Sequence, residues 1–194
     1  MSRGRAARNP PIPCEVLMAT RPYEAAEPEP VVGTLVALSN LMRAFPHRYR
    51  VETTAAPTGE VLVESPGLPA LRTTTPPEFG GPPGFWSPET LLVAAIGDCY
   101  ALTFRGLARA AGLAWTSLSV EVVGTLERPD RVTRFTDVSL VARLTAPPDT
   151  DSTLGGRLLI RAEETCLITR SLNADVHLDA KVERATPLTT ASAC

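Results

Sequence analysis

Cysteine is the residue type in this sequence best suited to chemistry of its own. The chain of 194 residues contains four cysteines: Cys14, Cys99, Cys166 and Cys194. No two of them stand in a Cys-x-x-Cys spacing, which excludes the common zinc and redox motifs. The only histidines are His47 and His177, so a metal site would lack its usual ligands. We therefore expect neither a metal nor a cofactor and look for chemistry in the thiols themselves.

Cys99 lies in the middle of a stretch that predicts a long helix over residues 87–112. Ser87 is a suitable N-cap, Pro88 suits the first helical position, and Gly112 is the natural stop. The residues before Cys99 leave no polar face, so we expect this half of the helix to be buried on all sides. Its C-terminal end is too amphipathic for a membrane span, and no transmembrane helix is expected.

Cys166 follows a second predicted helix, which Asp151 or Ser152 would cap. If both helices pack on the sheets, the two thiols could meet as a peroxidatic and a resolving cysteine. The alternative is that both are small buried apolar residues, as free cysteines often are. A reactive cysteine must be a thiolate, and Cys99 lies roughly 15 Å from the start of its helix, beyond the reach of the dipole. Activation would therefore need a nearby cation, most plausibly an arginine.

The remaining segments predict β-strands. Alternation from His47 onward, then residues 60–64 and 70–74, predict a three-stranded meander before the long helix. Residues 117–127, 135–144 and 174–183 predict three strands after it, with His177 on the exposed face of the last strand. The order β-β-β-α-β-β-α-β indicates an α+β fold with two three-stranded halves, each with a helix on its apolar face.

The ends of the chain differ from its middle. Residues 1–45 form an N-terminal extension rich in proline, alanine and charge, which we expect to be partly disordered apart from a short apolar element over 31–45. Residues 46–185 form the domain, and residues 186–194 form a C-terminal tail. A net charge of −2 gives no basis for nucleic-acid binding. No secretory signal is evident, so we expect a cytoplasmic protein without membrane association.

Two segments together resemble a known family. The stretch SPETLLVAAIGDCYALTFRGLARAAGL is similar to the central helix of the OsmC/Ohr family of thiol-dependent hydroperoxide reductases, which begins Pro-Glu-x-Leu and carries the first cysteine. The stretch AEETCLITRSLNADVHLDAKV resembles the second-cysteine helix and last strand of that family. The resemblance covers about residues 47–183 and implies an intertwined homodimer, in which two three-stranded sheets enclose the long helices.

The resemblance also implies a mechanism. Cys99 would attack an organic hydroperoxide and become a sulfenic acid, and Cys166 would close a disulfide that an external dithiol, by likeness to the Ohr branch a lipoyl group, reduces. Glu89 matches the acid that orients an activating arginine. In the turn where the Ohr branch carries that arginine this chain has residues 56–59 (Ala-Pro-Thr-Gly), so Arg72 is our candidate, with Arg48 and Arg50 as alternatives.

Other functions stay open at this point. A dimer of the same family could bind a small apolar ligand without catalysis, its cysteines merely packed. A redox-sensing interaction protein could use the proline-rich extension. Glu89 could be a simple helix-dipole acid, and the three arginines could be solvated strand charges. For the peroxidase, we expect an apolar substrate, because Ile96, Leu102 and Phe104 around Cys99 would form an apolar pocket if they faced a cleft.

Overall fold

The computed structural model describes residues 45–185. The predicted extension except for its last residue, the predicted tail over 186–194, Cys14 and Cys194 lie outside the described residues. The described elements, in chain order, are β1 (Glu52–Ala55), β2 (Val61–Glu64), β3 (Leu71–Thr73), α1 (Pro88–Ala110), β4 (Ser117–Glu127), β5 (Arg134–Ala146), α2 (Ser152–Thr165) and β6 (Asp175–Arg184). This order confirms the α+β prediction.

The strands form two three-stranded sheets. In the first, which we call the meander, β1, β2 and β3 pair antiparallel in sequence order. In the second, β5 is central, pairing antiparallel with β4 and parallel with β6. Parallel neighbours need a crossover connection, which α2 supplies.

Both helices pack against the second sheet. The sequence predicted one helix on each sheet, and within this single chain that prediction is wrong. Helix α1 lies against β4, α2 lies against β6 and β5, and the two helices contact each other. Strand β1 is exposed along its whole length and β2 is at most half-buried. Within the described residues the meander therefore has no helix packed extensively on it.

Helix α1 begins and ends where the sequence predicts. Ser87 and Thr90 form a capping box, in which the Thr90 N–H donates to Ser87 Oγ at 3.2 Å and the Ser87 N–H donates to Thr90 Oγ1 at 2.8 Å. The last helical residue is Ala110, and Gly112 follows with a positive φ of 64°.

Burial of α1 is one-sided, which corrects the prediction that its first half is buried all round. Its buried residues recur every fourth position, Ile96, Tyr100, Phe104 and Ala108. The helix is long and apolar enough to cross a membrane, with a mean hydropathy of 1.4 over 18 residues, but a core helix has the same profile. Only 22% of that window is buried, because among residues 45–185 just one sheet and one other helix pack against it.

Helix α2 is held close to the second sheet. Its N-cap is Asp151, whose Oδ1 accepts from the N–H groups of Thr153 and Leu154 at 2.9 and 3.1 Å. Gly155 faces the sheet, where an added Cβ would lie 3.3 Å from side-chain atoms of both Leu144 and Val182. The glycine thus allows the close approach of α2 to β5 and β6.

Candidate functional site

The structure brings together the two cysteines that the sequence singled out. Cys99 lies midway along α1 and is partly buried, whereas Cys166 is the C-cap of α2 and has no exposed surface. The thiol of Cys99 lies close enough to the thiol of Cys166 to raise its pKa. Both side chains belong to the apolar cluster between the helices and the second sheet. Two neighbouring thiols, only one of which is accessible, are the arrangement that a disulfide between α1 and α2 requires.

Cys166 lies where α2 gives way to a short 3-10 turn over Thr169–Ser171. Burial raises the pKa of the Cys166 thiol, and the adjacent Cys99 thiol raises it further. The N–H groups of Thr169 and Ile168 oppose this effect, as does the nearby Thr169 hydroxyl. The buried Thr169 hydroxyl donates its proton to the Cys166 carbonyl oxygen at 3.1 Å. Cys166, the candidate resolving cysteine, is therefore mainly a protonated thiol in the reduced protein. The N–H groups of Ile168 and Thr169 are placed to stabilise its thiolate when that forms.

Tyr100 forms a hydrogen bond between α1, which carries Cys99, and α2, whose C-cap is Cys166. Its side chain is fully buried, and its hydroxyl donates to the Leu159 carbonyl oxygen on α2 at 3.1 Å. Burial raises the pKa of Tyr100 well above its usual range, and the nearby Glu163 carboxylate raises it further. The periodicity of α1 predicts that residue 100 is buried. The hydrogen-bond partner of the Tyr100 hydroxyl cannot be predicted in the same way, because it depends on where α2 packs against α1.

A large apolar groove lies on another face of α1. Its volume is about 830 Å³, and it runs between α1 and β4, with Phe79, Trp86 and Phe135 at its sides. Neither cysteine lines it. Ile96 and Phe104 do not face a cleft, since both are buried in the core, while Leu102 is exposed. Ile96 and Phe104 lie eight positions apart on the face of α1 that packs into the core, so within the described chain they do not form the apolar pocket that the sequence suggested.

Two acids of α1 face this groove. Glu89, in the first turn, is partly buried, and its Oε2 atom is buried without a hydrogen-bond partner among residues 45–185. Asp98 is exposed and lines the groove, which confirms that it points away from Cys99. Burying a carboxylate oxygen without a hydrogen-bond partner costs free energy. A cation beside Glu89 would offset that cost.

Arg72 lies apart from the cysteines on β3. Its Nε atom forms an ion pair with Glu60, which immediately precedes β2. Arg50 pairs with Glu52 at 3.3 Å, also on the surface of this part of the chain. In the described part of the chain no hydrogen bond or ion pair joins Arg72 or Glu89 to either cysteine. Their predicted roles toward Cys99 stay predictions.

A second group of polar residues on the sheet has the composition of a hydrolase triad but not its geometry. Asp137 accepts from Ser139 at 3.1 Å and pairs with His177 Nε2 at 2.9 Å, so the acid lies between the other two. A triad needs the histidine between the serine and the acid, where it can take the serine proton. His177 is exposed, as predicted, and this group is a surface network.

Comparison with known proteins identifies the family. The family model described as OsmC-like protein matches residues 81–181, more than half of the chain. This chain belongs to the OsmC-like family. Among curated proteins, the uncharacterized protein YmaD of Bacillus subtilis is 28% identical over 114 residues, a match that covers 56% of this chain and 75% of the relative.

Solved structures of this family share the fold. An OsmC-like protein from Vibrio cholerae O1 superimposes with a TM-score of 0.65 at 19% identity, covering 70% of this chain and 99% of the other. An organic hydroperoxide resistance protein OsmC from Legionella pneumophila gives a TM-score of 0.58 at 20% identity, covering 72% and 99%. The organic hydroperoxide resistance protein OhrB of Bacillus subtilis gives 0.52 at 18%, covering 71% and 98%. The resemblance seen in the sequence is thus confirmed.

Proposed function

We propose that this OsmC-like protein is a thiol-dependent peroxidase that reduces organic hydroperoxides to alcohols, with Cys99 as the peroxidatic and Cys166 as the resolving cysteine. The observation that carries this proposal is the proximity, in one apolar cluster, of a partly exposed thiol on α1 and a fully buried thiol at the end of α2. Two of the structural relatives are named organic hydroperoxide resistance proteins, which supports the same chemistry.

The reaction runs in two steps on the two sulfurs. The Cys99 thiolate attacks the terminal oxygen of the hydroperoxide, so an S–O bond forms, the O–O bond breaks, and the alkoxide leaves as an alcohol after taking up a proton. Cys166 then attacks the Cys99 sulfenic acid, so the S–S bond forms, the S–O bond breaks, and water leaves. The Ile168 and Thr169 donors stabilise the Cys166 thiolate during this attack.

Return to the reduced state requires an external dithiol. The disulfide accepts two electrons and two protons from it, and the dithiol becomes a disulfide in turn. A lipoyl group carried by a partner protein has the required chemistry, and we place this cycle in the cytoplasm, where dithiol reductants are maintained. In such a cycle the protein would act as an antioxidant in the stress response.

We further propose that the working unit is a homodimer. The groove between α1 and β4 is apolar, only 22% of the apolar helix window is buried, and the meander has no helix packed extensively on it within the described residues. A second copy of the chain would supply the missing cover for both. The buried Glu89 oxygen would then meet an arginine of a neighbouring meander, for which Arg72 is our candidate.

The test is oxidation by one equivalent of cumene hydroperoxide, followed by thiol titration and intact mass. Wild type, Cys99→Ser and Cys166→Ser are compared in a background where Cys14 and Cys194 are serine. We expect wild type to lose two thiols and about 2 Da, Cys166→Ser to stop at an oxidised Cys99, and Cys99→Ser to be inert. If wild type keeps its thiols as long as a free thiol does, the peroxidase proposal is wrong.

One observation favours a second candidate, the binding of a small apolar ligand without catalysis. The groove of about 830 Å³ is the right size for such a ligand, and neither cysteine lines it. This function predicts saturable binding of an apolar fluorescent probe that Cys99→Ser leaves unchanged. Binding of that kind in a protein whose thiols resist peroxide would favour the second candidate.

A further inference from the structure

One hydrogen bond links the helix of Cys99 to the helix of Cys166. The Tyr100 hydroxyl donates to the Leu159 carbonyl oxygen at 3.1 Å, and both residues have no exposed surface. The bond is a side-chain contact between segments that are 59 positions apart in the sequence. It therefore fixes how α1 and α2 lie against each other.

Both ends of this bond are tied to the thiols by covalent geometry. Tyr100 directly follows Cys99, so a shift of the tyrosine moves the first sulfur with it. Leu159 precedes Cys166 by seven positions, which is two helical turns, so the carbonyl and the second cysteine lie on the same side of α2 about 10 Å apart along the axis. A hydrogen bond at this point fixes the position of α1 along α2 directionally, which the apolar packing around it does not.

The donor is present at every pH at which the protein works. Burial raises the pKa of Tyr100, and the Glu163 carboxylate adds to this effect, so the phenol keeps its proton. The alternative acceptor, water, is excluded from a side chain with no exposed surface. Breaking the bond would leave a buried hydroxyl without a partner, which opposes any sliding of α1 along α2.

We propose that Tyr100 is a positioning residue that holds the reduced thiols of Cys99 and Cys166 in register for disulfide closure. This inference rests on the proposed cysteine pair. In the disulfide form the S–S bond keeps α1 against α2, so the Tyr100 bond is always made. In the dithiol form the sulfurs can also move apart, with that bond broken. Loss of the hydroxyl therefore destabilises the disulfide form more than the dithiol form, and the thiols lie in register for a smaller fraction of the time.

The experiment measures the equilibrium between dithiol and disulfide in glutathione buffers, which needs no peroxidase activity. Glutathione disulfide takes two electrons and two protons from the cysteine pair and becomes two glutathione thiols. The proteins carry serine at positions 14 and 194. We expect Tyr100→Phe to lower the equilibrium constant for disulfide formation by about threefold to tenfold, the range set by one buried hydrogen bond.

Two further variants distinguish an effect on the position of the thiols from a general loss of stability. Phe104→Leu changes the next buried residue on the same face of α1, which makes an edge-to-face contact with Trp115 and no hydrogen bond to α2. It should lower the melting temperature yet keep the equilibrium constant within about twofold of wild type. Replacing Tyr100 by 4-aminophenylalanine keeps a donor on the same ring and should restore the wild-type constant.

Each outcome decides the matter. An equal constant for Tyr100→Phe and wild type, or an equal fall for Phe104→Leu, overturns the positioning role and leaves the proposed function intact. If wild type forms no Cys99–Cys166 disulfide at any glutathione ratio, the proposed function and this inference fail together. If Tyr100→Phe does not fold while the 4-aminophenylalanine protein does, the bond serves the stability of the whole chain and the specific role is wrong.

Discussion

Cys99 and Cys166 are neighbours in one apolar cluster, yet they differ in exposure, because Cys99 is partly exposed and Cys166 has no exposed surface. A peroxide arriving from solvent can reach only Cys99. Cys166 can react only with its neighbour. The order of the two proposed steps therefore follows from burial, without any assumption about which sulfur is the better nucleophile.

This difference predicts the order of alkylation in the reduced protein. At pH 7 we expect iodoacetamide to modify Cys99 roughly tenfold or more faster than Cys166, because burial both blocks Cys166 and raises the pKa of its thiol. Peptide mapping by mass spectrometry after short exposures distinguishes the sites. In Cys99→Ser, Cys166 should stay protected until the protein unfolds, and its rapid labelling in folded protein would contradict the burial seen here.

The raised pKa of Cys166 also predicts how stability depends on pH. The folded state holds this proton more tightly than the unfolded chain does, so the unfolded chain binds fewer protons once pH passes the ordinary thiol value of about 8.5. The free energy of unfolding of the reduced protein should therefore fall as pH rises from about 8 to 9.5. Urea unfolding at each pH measures it.

The matched control for this prediction is Cys166→Ser. Its free energy of unfolding should fall less over the same interval, since the other titrating groups are unchanged. Tyr100, whose pKa is also raised, contributes only near and above the ordinary phenol value of about 10, so the chosen interval separates the two. Parallel curves for the two proteins would mean that Cys166 ionises as easily in the folded state as in the unfolded one.

Much of the fold was predictable because local signals agree with each other. Ser87, Pro88 and Gly112 mark the ends of α1 through caps that depend only on neighbouring residues. Strand β4 matches the predicted range 117–127, and the alternation of β6 gives its exposed and half-buried faces. The proximity of the two cysteines was foreseen only as a possibility, since it requires α2 to cross over β5 and return beside α1.

What the sequence did not reveal depends on the tertiary arrangement. The apolar run before Cys99 predicted burial on all sides, but Ala94 is exposed and Val93 only half-buried, because no second layer from the described part of the chain covers them. The partner of the Tyr100 hydroxyl and the apolar groove between α1 and β4 arise from pairs of elements distant in sequence. No local periodicity carries that information.

Two adjacent glycines of α2 predict opposite effects of the same substitution. An added Cβ at Gly156 meets nothing within 4 Å, so Gly156→Ala should raise the free energy of unfolding by about 0.5–1 kcal/mol through helix propensity. An added Cβ at Gly155 lies 3.3 Å from the fully buried Leu144 and from Val182, so these side chains must shift by a few tenths of an ångström to accept it. We expect Gly155→Ala to be less stable than Gly156→Ala by about 1 kcal/mol or more in urea unfolding. Equal stabilisation by both would mean that α2 packs less closely on β5 and β6.

The proposed dimer predicts that a charge in the groove changes the oligomeric state. Sedimentation should give wild type about twice the chain mass of 20.7 kDa. Ala94 is exposed and lines the groove, so Ala94→Glu should shift the protein toward monomer, because an unpaired carboxylate would be buried in the interface. Ala110→Glu, at the exposed end of the same helix and outside the groove, is the control and should stay dimeric. A monomeric wild type would remove the dimer from the proposal.

The last prediction concerns the cation that activates Cys99. If Arg72 has this role, Arg72→Ala should slow the oxidation of Cys99 by cumene hydroperoxide roughly a hundredfold, while Arg48→Ala and Arg50→Ala change it little. The Arg72 side chain is 70% exposed but its partner Glu60 only 29%, so loss of the ion pair should cost about 1 kcal/mol of stability, and urea unfolding of Arg72→Ala checks that the slower reaction does not come from unfolding. Stopped-flow measurement of thiol loss in single-turnover reactions gives the rates. A larger effect at Arg48 or Arg50 would transfer the role to that residue, and unchanged rates in all three would place the activation of Cys99 outside this part of the chain.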